Sequence, residues 1–161
     1  MASIDALTGL YNRRHMNEHL KEMAQAAIRN NKSFTIAIAD VDLFKSVNDT
    51  YGHDTGDYVL TTIAQMFTEF METRGTIARW GGEEFLFVFD SDNTNIVYAD
   101  LEQLRKKIAS FPFAFKEHKF NVSMTFGMEE FDEHIGVETT ISRADNKLYQ
   151  GKENGRNQVV R

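Results

Sequence analysis

Hydrophobic residues recur along the chain at two spacings, and each spacing predicts a different secondary structure. Four segments carry them three or four positions apart, which places them on one face of a helix. These segments are residues 11–31, 57–71, 95–111 and 139–155. In the first segment the stripe consists of Met16, Leu20, Met23 and Ala27. We therefore predict four amphipathic helices.

Other segments alternate between hydrophobic and polar residues, which is typical of strands. The predicted strands are residues 34–42, 76–80, 84–89, 120–128 and 157–160. The second and third are separated only by Gly81, Gly82 and Glu83, which predicts a tight hairpin turn. Helices that alternate with single strands and a hairpin indicate an α+β fold with one central sheet, although periodicity alone leaves the strand order open.

Length and composition indicate one globular domain without covalent cross-links. The chain has 161 residues, of which 42% are hydrophobic and 26% charged, an ordinary globular composition. It has no cysteine, which excludes disulfides and cysteine–zinc sites. No apolar run reaches the length of a membrane span, and the net charge of −6 disfavours non-specific binding to nucleic acid. We expect a cytoplasmic domain with no membrane contact of its own, although a full-length protein could be membrane-anchored.

Two aspartates end the first predicted strand. Alternation places Asp40 and Asp42 on the same side as Ile36 and Ile38, so carboxylates replace hydrophobic residues where the strand leaves the core. Asp42 has a simple alternative role as the cap of a following short helix. Asp40 lies one step deeper, and this segment alone supports a metal or phosphate role and a structural role equally.

Two adjacent glutamates, Glu83 and Glu84, occupy the hairpin turn. A solvated hairpin tip is the simple explanation of such a pair. However, residues 85–89 are too apolar for a free edge strand, so we expect this hairpin in the middle of the sheet. If it pairs with the first strand, Asp40 and Asp42 converge with the glutamates and the four carboxylates repel one another. A divalent cation such as Mg²⁺ or Mn²⁺ relieves that repulsion.

Cationic side chains complete the candidate chemistry. Lys45 follows the acidic strand end, and Lys152 and Arg156 lie at the end of the last predicted helix. Each of them alone is most simply a solvated surface charge. Carboxylates, metal and several cations together are typical of a triphosphate site.

Three polar residues after the first strand have the groups needed to bind a base: Asn48, His53 and Asp57. An ionised aspartate accepts hydrogen bonds from the ring N–H and the amine of guanine. Adenine lacks this pair of donors, so such a contact favours guanine.

Four spaced motifs run through the chain: residues 5–14 (DALTGLYNRR), 40–57 (DVDLFKSVNDTYGHDTGD), 81–85 (GGEEF) and 143–157 (RADNKLYQGKENGRN). In this order, they resemble the opening motif, the metal and guanine segment, the signature (as a GGEEF variant) and the closing motif of one family. That family is the GGDEF domain, the diguanylate cyclase family. The resemblance implies a palm-like nucleotidyl cyclase fold with a ferredoxin-like core, in which helices flank a central, mostly antiparallel sheet. It also implies condensation of two GTP into cyclic di-GMP with release of two pyrophosphates.

The resemblance also implies roles for individual positions. The implied metal ligands, for two Mg²⁺ or Mn²⁺ per GTP, are Asp40, the backbone carbonyl of Val41, and Glu83, with Glu84 assisting. The implied catalytic residues are Glu83, which accepts the 3′-hydroxyl proton, and Lys45, which faces the charge that develops on the phosphate. The implied substrate-binding groups are the N–H groups of Leu43 and Phe44 and the side chains of Asn48, His53, Asp57, Lys152 and Arg156.

One element of the family is missing. Its product-inhibition site requires an Arg-x-x-Asp element that ends six residues before the first signature glycine, and Glu72 and Gly75 occupy those positions here. Arg74 does not restore the pattern, although Arg79 matches a neighbouring arginine. We therefore do not expect inhibition by product at that site.

The implied reaction requires two copies of the domain, because one site binds one GTP and the product contains two. We expect an antiparallel catalytic dimer. Relatives usually carry a sensory or dimerisation domain upstream, so we expect residues 1–161 to be a single domain from the C-terminal end of a larger signalling protein, mostly monomeric and weakly active alone. The alternative is a catalytically silent GTP-binding regulatory module. A purely structural interaction domain leaves the paired carboxylates unexplained.

Overall fold

A five-stranded sheet runs through the middle of the molecule, and helices pack on both of its faces. The computed structural model describes residues 2–161. Its helices are α1 (Arg13–Asn30), α2 (Phe44–Tyr51), α3 (His53–Met71), α4 (Thr94–Ser110) and α5 (Gly136–Glu153). Its strands are β1 (Thr35–Val41), β2 (Gly75–Arg79), β3 (Glu84–Phe89), β4 (Phe113–Phe115), β5 (His118–Phe120), β6 (Met124–Glu130) and β7 (Val159–Val160).

The order of strands in the main sheet is β2-β3-β1-β6-β7. The pairs β2–β3, β3–β1 and β1–β6 are antiparallel, and β6–β7 is parallel. This arrangement confirms the α+β fold with a central, mostly antiparallel sheet. Strand β1 lies at its centre and is buried along its whole length, so its C-terminal end carries Asp40 into the middle of one sheet edge.

The sheet separates two hydrophobic clusters. In β1, Ala37 and Ala39 face the cluster formed with α3 and α4, whereas Ile36 and Ile38 face the cluster formed with α1 and α5. By the same alternation, Asp40 continues the side of Ile38, toward α1 and α5. The strand that lies between the two clusters therefore also presents the first candidate carboxylate.

The hairpin of β2 and β3 forms as predicted, but only half of it lies inside the sheet. Strand β3 pairs with β1, while β2 is the edge strand. The expectation that the whole hairpin lies in the middle of the sheet was therefore wrong for β2. Tyr11 bridges to Ala78, and the N–H of Arg79 donates to the carbonyl of Tyr11 at 2.9 Å, so the N-terminal segment covers part of this edge.

The predicted strand 120–128 is divided between two sheets. Residues 118–120 pair with β4 in a separate two-stranded sheet, and β6 begins only at Met124. Phe120 stacks on Tyr51 of α2 with ring centroids 4.8 Å apart. The apolar alternation continues across this break because the side chains on both sides of it pack into one cluster.

The helical segment predicted at 57–71 begins four residues earlier, at His53. Its first turn is polar apart from Gly56, so hydrophobic spacing does not mark it. Among the helices of residues 2–161, none is long and apolar enough to cross a membrane.

Candidate active site

Two carboxylates from distant parts of the chain face each other across the central strands. The register of β1 and β3 pairs Asp40 with Glu84. The side chain of Asp40 is only 10% exposed, and both Glu83 and Glu84 are half-buried. The predicted adjacency of the acidic strand end and the acidic turn is therefore present.

Lys152 of α5 reaches the same place and forms an ion pair with Asp40 through Nζ and Oδ2. The close approach of α5 to β6 makes this contact geometrically available. A Cβ at Gly151 would lie 2.6 Å from Cγ2 of Thr125, and a Cβ at Gly127 would lie 2.1 Å from the carbonyl oxygen of Ala144. Glycine at both positions lets the helix lie directly on the sheet, which brings its last turn to the end of β1.

The electrostatics of this pair indicate a place for a cation. Burial is the main reason that the pKa of Asp40 rises from its ordinary value of 3.8 to about 6; the hydrogen bond and charge of Lys152 oppose the rise, and the charges of Glu83 and Glu84 add to it. Burial and the charge of Asp145 also raise the pKa of Glu84. Asp40 and Glu84 are thus both favoured in their ionised form by a nearby positive charge, which Lys152 supplies in this structure.

The turn that carries Glu83 is fixed by the backbone and by one arginine. The N–H groups of Trp80 and Gly81 donate to the carbonyl of Glu84, at 2.8 and 3.2 Å, and the N–H of Val41 donates to the carbonyl of Glu83 at 3.2 Å. Arg79 donates to the carbonyl of Gly82 from Nε at 3.1 Å and from Nη2 at 2.8 Å. Glu83 is therefore attached to the end of β1 through its own main chain.

Asp5, in the first of the four motifs, holds that arginine. Its carboxylate lies 3.2 Å from Nη1 of Arg79 and accepts hydrogen bonds from the N–H and the hydroxyl of Thr8. Burial opposes ionisation of Asp5, but the bonds from Thr8 and Arg79 outweigh it and lower its pKa. Periodicity gave no role to Asp5, and only its place in a quoted motif drew attention to it.

Asp42 does not join the other carboxylates, so the expected convergence of four was wrong for this residue. It accepts hydrogen bonds from Ser123 Oγ at 2.7 Å, from Thr125 Oγ1 at 2.6 Å and from the N–H of Asn157 at 3.0 Å. These partners lie toward β6 and β7, away from Glu84. Asp42 does not cap α2 either: the N-cap is Leu43, and no side chain in the described part of the chain caps that helix.

The start of α2 exposes main-chain groups next to the acidic end of β1. Leu43 has a left-handed backbone with φ 54°, and 60% of it is exposed. Phe44 begins the helix, and Lys45, one residue later, is exposed. An uncapped helix start of this kind has unpaired N–H groups and a positive end of the helix dipole, both suited to phosphate oxygens.

The three predicted base-binding residues lie along the junction of α2 and α3. Asn48 is in the last turn of α2, and its Oδ1 is buried without a hydrogen-bond partner among residues 2–161. His53 and Asp57 lie in the first turns of α3 and are exposed. Arg156 is also exposed and lies in the segment after α5, with a left-handed backbone at φ 63°. The structure places all of these residues but shows no contact that links them to Asp40.

The metal prediction has a mixed outcome. Carboxylates are suitable ligands for Mg²⁺ and Mn²⁺, and buried Asp40 beside two glutamates fits a cation site. However, within residues 2–161, no group of three or more His, Cys, Asp or Glu side chains is arranged to hold a metal ion. The carboxylates would have to close in, and Lys152 would have to leave Asp40, before an ion is enclosed.

The positions of the missing Arg-x-x-Asp element are occupied by residues with other roles. Gly75 starts β2 with φ 153°, and a Cβ there would lie 1.9 Å from the carbonyl oxygen of Val88. Arg74 pairs with Asp100 at 3.3 Å and donates to the carbonyl of Phe70 at 2.7 Å. Glu72 and Gly75, at the two positions of the element, do not supply its arginine and aspartate, and the neighbouring Arg74 is bound elsewhere.

Comparison with known proteins decides the family. The family model described as "Diguanylate cyclase, GGDEF domain" matches residues 2–158. The chain belongs to the GGDEF family of diguanylate cyclases. It is 35% identical to the diguanylate cyclase DgcP of Pseudomonas aeruginosa over 158 residues, which covers 98% of this chain and 24% of DgcP. The chain spans about a quarter to a third of the length of the curated relatives it matches first.

Solved GGDEF structures share the fold over almost the whole chain. The GGDEF domain of DgcB from Caulobacter crescentus, solved in complex with c-di-GMP, aligns with a TM-score of 0.95 at 30% identity and covers 99% of this chain and 95% of that one. The active GGEEF domain of a diguanylate cyclase from Vibrio cholerae aligns with a TM-score of 0.87 at 30% identity, covering 94% and 96%. These likenesses show that the fold is shared over 94% to 99% of this chain.

Proposed function

We propose that this chain is a catalytic GGDEF domain that condenses two GTP into cyclic di-GMP and releases two pyrophosphates. The observation that carries the proposal is the pairing of Asp40 with Glu84 across β1 and β3, with Lys152 on Asp40. An acidic pair beside a lysine ammonium is the chemistry that a metal-bound triphosphate needs. Membership of a family of enzymes supports it.

The residues that would hold two Mg²⁺ or Mn²⁺ per GTP are Asp40, the carbonyl of Val41, Glu83 and Glu84. Bound there, the ions would neutralise the triphosphate and lower the pKa of the 3′-hydroxyl. Lys152 would then move from Asp40 to the phosphates, because the ions take over its role at the carboxylate. Arg156, exposed four residues later, would join it there.

The chain's own residues supply the acid–base and electrostatic steps. Glu83 accepts the proton of a 3′-hydroxyl as its oxygen attacks the α-phosphorus of the other GTP. The new bond joins that oxygen to the α-phosphorus, and the bond from the α-phosphorus to the bridging oxygen breaks to release pyrophosphate. Lys45 and the N–H groups of Leu43 and Phe44 face the charge on the phosphate. The 3′-hydroxyl of the second nucleotide then loses its proton and attacks the α-phosphorus of the first in the same way; this forms the second phosphodiester bond, releases the second pyrophosphate and closes the ring.

Residues at the junction of α2 and α3 would select the base. Asp57 would accept from the ring N–H and the amine of guanine, and Asn48 and His53 would complete the base and ribose contacts. The exposed positions of His53 and Asp57 leave their side chains open to a ligand. The substrate is therefore GTP in preference to ATP.

Product analysis tests the proposal directly. The domain at high concentration is incubated with GTP and Mg²⁺, and cyclic di-GMP and pyrophosphate are quantified by chromatography. We expect a 1:2 ratio of the two products, and no product from Glu83→Gln, which keeps the shape of the side chain but removes the base. Binding of GTP without turnover would instead indicate a silent regulatory module, and normal turnover by Glu83→Gln would contradict the assigned base.

A further inference from the structure

Gly56 lies in the first turn of α3, directly before Asp57, where its backbone does not require glycine. The helix there has an ordinary right-handed conformation. Glycine in a helix costs about 1 kcal/mol relative to alanine. A reason other than backbone conformation must therefore explain a glycine at this position.

The space beside Gly56 supplies that reason. A Cβ at position 56 would lie 1.9 Å from Oδ1 of Asn48, 3.0 Å from its Cγ and 3.1 Å from Cζ of Phe44. Both close atoms of Asn48 belong to its carboxamide. Only a residue without a side chain lets this group lie between α2 and α3 in its present orientation.

The carboxamide of Asn48 is held there at a cost to stability. Its Oδ1 is buried and has no hydrogen-bond partner among residues 2–161. Leaving a buried acceptor without a donor costs about 1–3 kcal/mol. Neither the glycine nor the unpaired amide is explained by stability, and the two features are in direct contact.

We propose that Gly56 is a positioning residue for base selection: its missing side chain fixes the orientation of the Asn48 carboxamide, and that orientation contributes to the choice of guanine over adenine. This inference rests on the proposed function, because it assigns the base site to the junction of α2 and α3. The main chain links the two helices tightly here. The N–H of Gly52 donates to the carbonyl of Asn48 at 2.8 Å, and the N–H of Gly56 donates to the carbonyl of Gly52 at 3.2 Å. A methyl group at position 56 must therefore turn the carboxamide away.

The experiment measures binding of 3′-deoxy-GTP and 3′-deoxy-ATP with Mg²⁺ by calorimetry, because these nucleotides lack the attacking hydroxyl and are not consumed. The readout is the ratio of the two dissociation constants. We expect Gly56→Ala to reduce the preference for guanine about tenfold, Asn48→Ala to reduce it similarly, and the double variant to lose no more than either single one. Ile63→Val, a buried change on the same helix, serves as the control for loss of stability and should leave the ratio unchanged.

The outcomes separate this inference from the proposed function. The inference would be wrong if Gly56→Ala kept the wild-type preference for guanine, or if the losses of preference in the two single variants added up in the double variant. Either result would leave the proposed function standing. A wild-type domain that binds no guanine nucleotide would overturn both. If Gly56→Ala does not fold, the double variant still decides, because it lacks the carboxamide and keeps only the Phe44 contact. In that case it must match Asn48→Ala.

Discussion

At the scale of single residues, Asp40 and Asp42 show how two identical side chains on one strand end acquire different roles. Asp42 accepts hydrogen bonds from Ser123, Thr125 and the N–H of Asn157. Asp40 has one partner, Lys152, and lies opposite Glu84. The carboxylate of Asp42 has its hydrogen bonds supplied by the fold, whereas the carboxylate of Asp40 is left for a cation. This difference predicts different consequences for the same substitution.

We expect Asp42→Ala to lower the free energy of unfolding by about 2–4 kcal/mol, because it removes the acceptor of the buried Thr125 hydroxyl and of the partly buried donors of Ser123 and Asn157. Urea unfolding measures this loss. Asp40→Ala is the matched control: it removes an unfavourably buried charge, and the side chain of Lys152 is 32% exposed and can be hydrated. It should cost little stability while abolishing turnover. A larger loss of stability for Asp40→Ala than for Asp42→Ala would show that Asp40, and not Asp42, is the carboxylate that stabilises the fold.

The raised pKa of Asp40 predicts the pH dependence of the metal-free domain. A carboxyl whose pKa in the folded state, about 6, exceeds its ordinary value contributes stability that is fully present below its ordinary pKa and is lost as pH rises through 6. We expect this group to destabilise the fold by about 1–1.5 kcal/mol between pH 5 and pH 7.5.

Urea unfolding in EDTA at both pH values checks this effect, with Asp40→Asn as reference because it cannot ionise. The variant should lose less stability over the same interval by that amount. Equal losses in both proteins would mean that the carboxyl of Asp40 is already ionised at pH 5.

At the scale of elements, the β2–β3 turn is tied to the N-terminal segment through one guanidinium. Arg79 donates to the carbonyl of Gly82 and pairs with Asp5. The turn is therefore not an independent hairpin tip. Its geometry depends on a segment more than seventy residues away in the chain.

We expect Arg79→Met to loosen the turn and speed hydrogen exchange of the Trp80 and Gly81 amides about tenfold, because local opening becomes easier. Mass spectrometry or NMR measures the exchange. Arg74→Met is the matched control: it removes the same charge from the start of β2, where the guanidinium pairs with Asp100. Unchanged exchange in Arg79→Met, or equal acceleration in both variants, would show that the guanidinium does not hold the turn.

At the scale of the whole molecule, one domain presents one set of candidate residues, whereas the proposed product contains two nucleotides. The proposed function therefore predicts that two copies face each other and that their encounter limits the rate when no other domain brings them together. We expect specific activity to rise with protein concentration. Two copies joined by a flexible linker should be more active per domain at low concentration, because the linker raises the effective concentration.

Activity per domain from nanomolar to high micromolar concentrations measures this dependence, with a tethered Glu83→Gln pair as the inactive control. A specific activity that does not change with concentration would contradict assembly-limited turnover.

The sequence by itself determined four of the five helices, most strands and the four motifs, because hydrophobic spacing and motif residues are local properties; the short helix α2 was not among the predicted helices. It also determined the family, since the motifs extend along nearly the whole chain. Local spacing did not separate β5 from β6, because Phe120 and Met124 pack into one cluster across the break. It missed the first turn of α3 because that turn has no apolar stripe.

Only the tertiary structure decided which carboxylates share a site. Asp40 and Asp42 are equivalent by alternation, but the register of β1 with β3 places Asp40 opposite Glu84, whereas Asp42, just beyond the end of β1, is bound by Ser123, Thr125 and the N–H of Asn157. The same is true of Lys152, which reaches Asp40 because α5 lies close on β6, and of Gly56, whose role depends on the carboxamide of Asn48 against it. These relationships join residues that are distant in sequence or lie on different helices, so no local pattern contains them.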